Sequence, residues 1–252
     1  MPAVTVHFWA VKILSTAMGE ATSDYLVHTI NPYAAVGIGA LGLSVALTWQ
    51  FLLRRYIALA YWFAVVMVAV FGTMVADAAH IELGISYVVS TVLCATGLAI
   101  VFVLWYATER TLSIHSISTR RRELFYWAAV LATFAMGTAA GDMSAYTLHL
   151  GWFASALMFT AIFAIPLLAR RFFGLNEVFT FWFAYIITRP LGASYADWLG
   201  VPKALGGLNF GRGTVAIALT IVIIAWVAYL SISKVDVERV EGLKAQGARS
   251  YT

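Results

Sequence analysis

Four aspartates recur in one register along the chain. Asp24, Asp77, Asp142 and Asp197 each follow a tryptophan by fifteen residues (Trp9, Trp62, Trp127, Trp182) and a glycine by five (Gly19, Gly72, Gly137, Gly192). The residue just before each aspartate is small: Ser23, Ala76, Gly141 and Ala196. Each aspartate lies in or beside an apolar run, where a carboxylate is costly unless paired, hydrated or coordinated. Four such groups at one depth suit a site that replaces the hydration shell of a cation. The alternative is that each aspartate ends a helix and caps an outer loop. Four capping sites, however, need not share a register with Trp and Gly.

Helix residues spaced by four form one slowly drifting stripe. Counting back from the aspartates, the stripes read Lys12, Thr16, Glu20, Asp24; Val65, Ala69, Thr73, Asp77; Val130, Phe134, Thr138, Asp142; and Tyr185, Arg189, Ala193, Asp197. The additional charges Lys12, Glu20 and Arg189 thus share the aspartate stripe. Polar stripes on membrane helices face a bundle interior or a cavity. Glu20 therefore joins the acidic set. Lys12 and Arg189 are expected to be its counter-charges, tuning the site or gating it. Pro190 removes a backbone hydrogen bond beside Arg189 and is expected to kink its helix.

Histidines extend the pattern. His28 follows Asp24 by four residues, His80 follows Asp77 by three, and His149 follows Asp142 by seven. Such spacings share a helix face. Mixed carboxylate and imidazole ligands favour Mn, Fe, Zn, Co or Ni over Mg or Ca. No covalent cofactor is expected, and His115, in a basic loop, reads as solvated.

The elements that must hold these groups are transmembrane helices. The chain is 62% hydrophobic and only 11% charged, against about 25% charged in a soluble domain. Its apolar runs can cross a hydrocarbon core of roughly 30 Å as helices, and they lack the alternation of a membrane barrel. The predicted spans are roughly 6–28, 33–54, 60–80, 85–108, 125–147, 151–170, 178–199 and 213–233. The fold class is therefore an all-α integral membrane protein of eight transmembrane helices. They form four parallel two-helix repeats, at about 6–54, 60–108, 125–170 and 178–233, within one domain over 1–233. Each repeat is a motif helix followed by a plain apolar one. Residues 234–252 form a short charged tail.

Lys and Arg gather at Arg54, Arg55, Arg110, Arg120 to Arg122, Arg170, Arg171 and in the tail. The opposite loops hold only Lys203 and Arg212. The positive-inside rule then places both termini in the cytoplasm and the aspartates toward the outer face. It also puts the four tryptophans near the cytoplasmic interface, where they are expected to act as anchors. The glycine with its small residue four later is the pattern that lets membrane helices approach closely. The four motif helices are thus expected to form the inner bundle.

Other classes are disfavoured. The lone Cys94 forms no disulfide framework. There is no HExxH, no Gly-x-Gly-Asp and no nucleophile with a histidine base, so an enzyme is not expected. The basic residues sit at helix ends and do not form a nucleic-acid surface. The partners expected are the lipid bilayer and a small cation.

The fourfold Trp, Gly, Asp helix pair resembles a bacterial family of multi-pass membrane proteins built from a repeat of unknown function. The resemblance runs from Trp9 to the last helix. It implies a helical protein of the bacterial inner membrane and carries no activity. Met136-Gly137-Thr138 and Ala140-Gly141-Asp142 also resemble the acidic Gly-Asp motifs of cation-exporting membrane families, without their full pattern. The function expected is transport of a cation, a divalent transition metal foremost, with proton coupling through the carboxylates. An acidic-ring channel, or a membrane sensor or assembly protein with a structural acidic cluster, is the alternative.

Overall fold

The computed structural model describes residues 1–53 and 55–237, and of 78–83 the backbone alone. Arg54, the side chain of His80 and most of the expected tail lie outside the described residues. Among the described residues the chain forms eight long helices and no strand: α1 (Val6–Thr29), α2 (Pro32–Leu52), α3 (Ala58–Leu83), α4 (Tyr87–Glu109), α5 (Arg120–Asp142), α6 (Gly151–Phe173), α7 (Glu177–Gly200) and α8 (Arg212–Ser233). Several starts are fixed by side-chain caps. Asn31 accepts from the Tyr33 and Ala34 amides at 3.0 and 3.4 Å, ahead of Pro32 in the first turn of α2. Asn176 caps α7 in the same way. Gly84 and Gly174 end α3 and α6 with φ of 62° and 64°, a left-handed turn that glycine adopts without strain. The fifth helix was expected over 125–147. It begins at Arg120 behind its Thr119 cap, and a π-turn takes over at Met143–Thr147.

Six helices are long and apolar enough to cross a membrane: α2, α3, α4, α5, α6 and α8. The two outside that set, α1 and α7, carry Lys12, Glu20, Asp24, Arg189 and Asp197. The motif helices α1, α3, α5 and α7 pack as a closed ring, each against the next, with α7 returning to α1. The plain helices lie outside. Buried residues make up 28, 17, 28 and 28% of the apolar windows of α2, α4, α6 and α8, against 67 and 56% for α3 and α5. The expected inner bundle and outer layer are therefore present.

The packing unit differs from the sequence repeat. Each plain helix packs mainly on the motif helix of the following copy: α2 on α3, α4 on α5, α6 on α7 and α8 on α1. Side-chain size explains the choice for α2. Gly39 and Gly42 bring its backbone against Met74 and Met67 of α3. Trp105 of α4, fully buried, stacks on Phe125 of α5 with centroids 6.2 Å apart. The two ends of the described chain meet at the tryptophan end of the bundle. The Ala3 amide donates to the Asp236 carbonyl at 2.8 Å, and the Tyr56 hydroxyl donates to the buried Asp236 carboxylate.

Candidate functional site: an axial column closed by arginine

The glycines make the ring possible. A Cβ on Gly19 would lie closer than 3.0 Å to Ala69 of α3, and one on Gly72 closer than 3.0 Å to Phe134 of α5. Gly137 abuts Arg189 and Pro190 of α7 in the same manner, and Gly192 abuts Thr16 of α1. In every seam the glycine meets the residue three before the next copy's glycine. The motif thus encodes one interface used four times, including the closing seam between α7 and α1.

The tryptophan end repeats this logic. The residue before each motif Trp is also aromatic: Phe8, Tyr61, Tyr126 and Phe181. Each of these rings meets the Trp of the next copy, with centroids 5.6 Å apart for Phe8 and Trp62, 5.7 Å for Tyr61 and Trp127, 6.1 Å for Tyr126 and Trp182, and 5.7 Å for Phe181 and Trp9. This corrects the interfacial-anchor expectation. Trp62, Trp127 and Trp182 are buried in the core, and Trp9 is half-buried, because each ring fills a seam between motif helices. The aromatic-Trp dipeptide was a signal available in the sequence and not used.

The stripes face one another along the ring axis and are buried from the aromatic layer up to the level of Glu20. Above the aromatic layer come Lys12, Val65, Val130 and Tyr185. Next are Thr16, Ala69, Phe134 and Arg189, then Glu20, Thr73, Thr138 and Ala193, and the four aspartates at the far end. Burial of an ion is tolerable only with partners, and Arg189 has them. It pairs with Glu20 and donates to Thr73, to Thr138 at 2.7 Å and to the Thr16 carbonyl at 3.2 Å. So one side chain of α7 is held by all three other motif helices. The helix runs through Pro190 to Gly200.

Among the described residues Lys12 pairs with none of the carboxylates it was expected to balance. Its fully buried Nζ has no hydrogen-bond partner and sits 4.0 Å from the Phe134 ring centroid and 4.2 Å from that of Tyr185. The aromatic faces take the place of a carboxylate.

The aspartates form one electrostatic neighbourhood. Asp77 lies within reach of Glu20, Asp142 and Asp24, and Asp197 within reach of Glu20, Asp24 and Asp142. Asp197 is buried, and the other three are half-buried. Asp24 makes an ion pair at 2.8 Å with Arg212 at the start of α8. Ion pairs of Asp77, Asp142 and Asp197 are absent among the described residues. Two tyrosines unforeseen from the sequence stand beside this acidic mouth. Tyr87 and Tyr146 stack at 5.4 Å, within electrostatic reach of Asp142 and Asp197. Tyr146 is placed there by the π-turn, a feature frequent at functional sites.

His28 and His149 are not drawn in. His28 is exposed, its Nδ1 2.7 Å from the Asp24 carbonyl of its own helix. His149 is exposed in a loop with φ of 56°. The side chain of His80 is outside the described residues. Among the described residues no three His, Cys, Asp or Glu side chains are placed to hold a metal ion.

A family model for a Repeat of Unknown Function (DUF347) matches residues 60–111, 125–174 and 180–236. The chain belongs to this family. Its three matched DUF347 repeats cover α3 with α4, α5 with α6 and α7 with α8. The copy formed by α1 and α2, which holds Lys12 and Glu20, falls outside the match. No curated protein and no solved structure matches the chain.

Proposed function

We propose that the protein is a multi-pass transporter for a cation in a bacterial inner membrane, with all eight helices spanning, both termini cytoplasmic and the aspartate end facing outward. One observation carries this reading. Five carboxylates gather at the mouth of an axial column built from four copies, and a cationic side chain is already seated just below them. Lys12, Glu20 and Arg189 are buried on the axis, which lets α1 and α7 span. The column beneath is filled by side chains, which favours a gated carrier over a permanently open acidic ring. The expectation of a divalent transition metal leans on imidazole ligands, and His28 and His149 are exposed, so the cargo proposed is a cation whose entry displaces protons from the carboxylates.

Transport into vesicles, measured across a panel of cations, tests this for Asp77→Asn, Asp142→Asn and Asp197→Asn. Loss of uptake with retained folding is expected. Unchanged uptake in all three would refute the site. A second reading is that the acidic cluster is structural, in a sensor or assembly protein. It is favoured by the two carboxylates already held by Arg189 and Arg212. In that case the substitutions lower the melting temperature, and no cation raises that of the wild type.

A further inference from the structure

Three hydrogen bonds converge on one nitrogen. Arg189 Nη2 donates toward the Glu20 carboxylate, the Thr73 hydroxyl and the Thr138 hydroxyl. The threonines spend their own hydrogens elsewhere. Thr73 donates to the Ala69 carbonyl at 3.0 Å or to Glu20 at 3.2 Å, and Thr138 donates to the Phe134 carbonyl at 3.2 Å. All three oxygens therefore offer lone pairs to Nη2, a nitrogen with one hydrogen fewer than the acceptors around it. The Nε of the same buried side chain has no partner. Arginine thus lacks a hydrogen where the oxygens converge and has one to spare where none waits.

A primary ammonium has three hydrogens on one nitrogen and satisfies this cage in full. The charges also match, because only Glu20 among the three oxygens is anionic. Threonine hydroxyls and a lone carboxylate are hard oxygen ligands without imidazole or thiolate, a poor set for a transition metal. Phe134, whose ring faces the Arg189 guanidinium at 5.4 Å, supplies an aromatic wall for the cation. The half-buried aspartates above lead cations to the cage.

We propose, resting on the cation-transport reading above, that this cage is the cargo site, that Arg189 is a tethered occupant holding it when cargo is absent, and that the cargo is a small primary ammonium ion. Transport then requires Arg189 to leave the cage as the ammonium enters, so the site never stands as an unpaired Glu20.

The test is the melting temperature of the full-length protein in detergent, titrated with methylammonium, ammonium, guanidinium, potassium, manganese and zinc. Arg189→Ala removes the tethered competitor. Its apparent affinity for methylammonium is expected to rise by about tenfold or more over wild type. The gain should vanish in Arg189→Ala with Glu20→Gln. Lys12→Met in the Arg189→Ala background removes the buried amine that shares the Phe134 wall with the cage, so the gain should persist or grow, and its loss would overturn the proposal. Ammonium against methylammonium separates an inorganic from an organic source of the same chemistry.

If Arg189→Ala does not fold, Arg189→Lys decides. Its own ammonium should satisfy the cage, keep the melting temperature near wild type and abolish the methylammonium response. An Arg189→Lys protein far less stable than wild type would overturn the proposal. So would an Arg189→Ala protein stabilised by potassium, manganese or zinc and not by amines, although cation transport would survive that result. No response to any cation in any variant would sink both.

Discussion

Glu20→Gln is the substitution whose cost follows most directly from the structure. It keeps the size of the side chain and removes its charge. Arg189 is then left fully buried with only neutral partners: two threonine hydroxyls and the Thr16 carbonyl. A guanidinium cannot shed its proton to escape. Removing one partner of a buried ion pair costs about 3–5 kcal/mol. The remaining neutral hydrogen bonds put this case at the lower end, about 3 kcal/mol. For a chain of this length that is roughly 6–12 °C in melting temperature, at 2–4 °C for each kcal/mol. Arg189→Gln should cost less, about 1–2 kcal/mol, because the Thr73 hydroxyl at 3.2 Å can still donate to Glu20 and the new amide offers it a further N–H. The double variant should recover most of the loss, since replacing both members of a buried pair is often close to neutral. Thermal unfolding of the four proteins in one detergent completes a double-mutant cycle. A Glu20→Gln protein within about 1 kcal/mol of wild type, or a double variant no better than Glu20→Gln alone, would refute the pairing argument.

Three further outcomes are expected. Gly19→Ala and Gly72→Ala should each cost about 1–3 kcal/mol by overpacking a seam, whereas Gly37→Ala and Gly97→Ala, with no neighbour within 4 Å of the added carbon, should be neutral in the same melts. Reporter fusions after Arg55, Arg122, Arg171 and at the C-terminus should all read cytoplasmic; one external reading breaks the parallel arrangement. Asp24→Asn should lose only about 1 kcal/mol or less of stability, because its partner Arg212 is part-exposed, so any larger effect on uptake reflects cation handling.

The parts of this molecule that were legible in the sequence were those written in every copy. The Trp-Gly-Asp register predicted four equivalent motif helices, and the four glycine seams use that register without exception. The spacing of Lys12, Glu20 and Arg189 predicted a buried charged stripe, and all three are buried. What one helix stripe could not reveal was which other stripe each group faces. Lys12 was assigned a carboxylate and found Phe134 and Tyr185, because pairing across a ring depends on rotation of the neighbouring helices. His28 and His149, offered as ligands by spacing, are exposed for a related reason. Helical spacing puts His28 on the Asp24 face only if its ring turns inward, and it turns back to its own backbone. The handing of each plain helix to the next copy was equally invisible, since a tandem repeat is compatible with packing in either direction.

That offset packing makes the ring cyclic in space although the chain is linear. Three of its seams join motif helices that are consecutive in the chain. The fourth, between α7 and α1, is closed by α8 packing on α1, by the Thr16 hydroxyl donating to the Thr188 carbonyl at 3.0 Å, and by the pair of Arg189 with Glu20. If these contacts alone specify closure, the position of the chain ends is immaterial. A circular permutant should therefore fold. The described ends suit the join, because Ala3 and Asp236 are already hydrogen bonded. The new ends fit in the connection between α4 and α5, where the exposed Ser118 precedes the Thr119 cap of α5. Such a protein keeps an even number of helices between its ends, so the orientation of every span is preserved. Its melting temperature should lie within about 5 °C of wild type, given that only loop closure changes, and Glu20→Gln should destabilise it as much as it does the native chain. A permutant that inserts and folds yet is indifferent to Glu20→Gln would show that the closing seam owes its register to chain order and not to the buried ion pair.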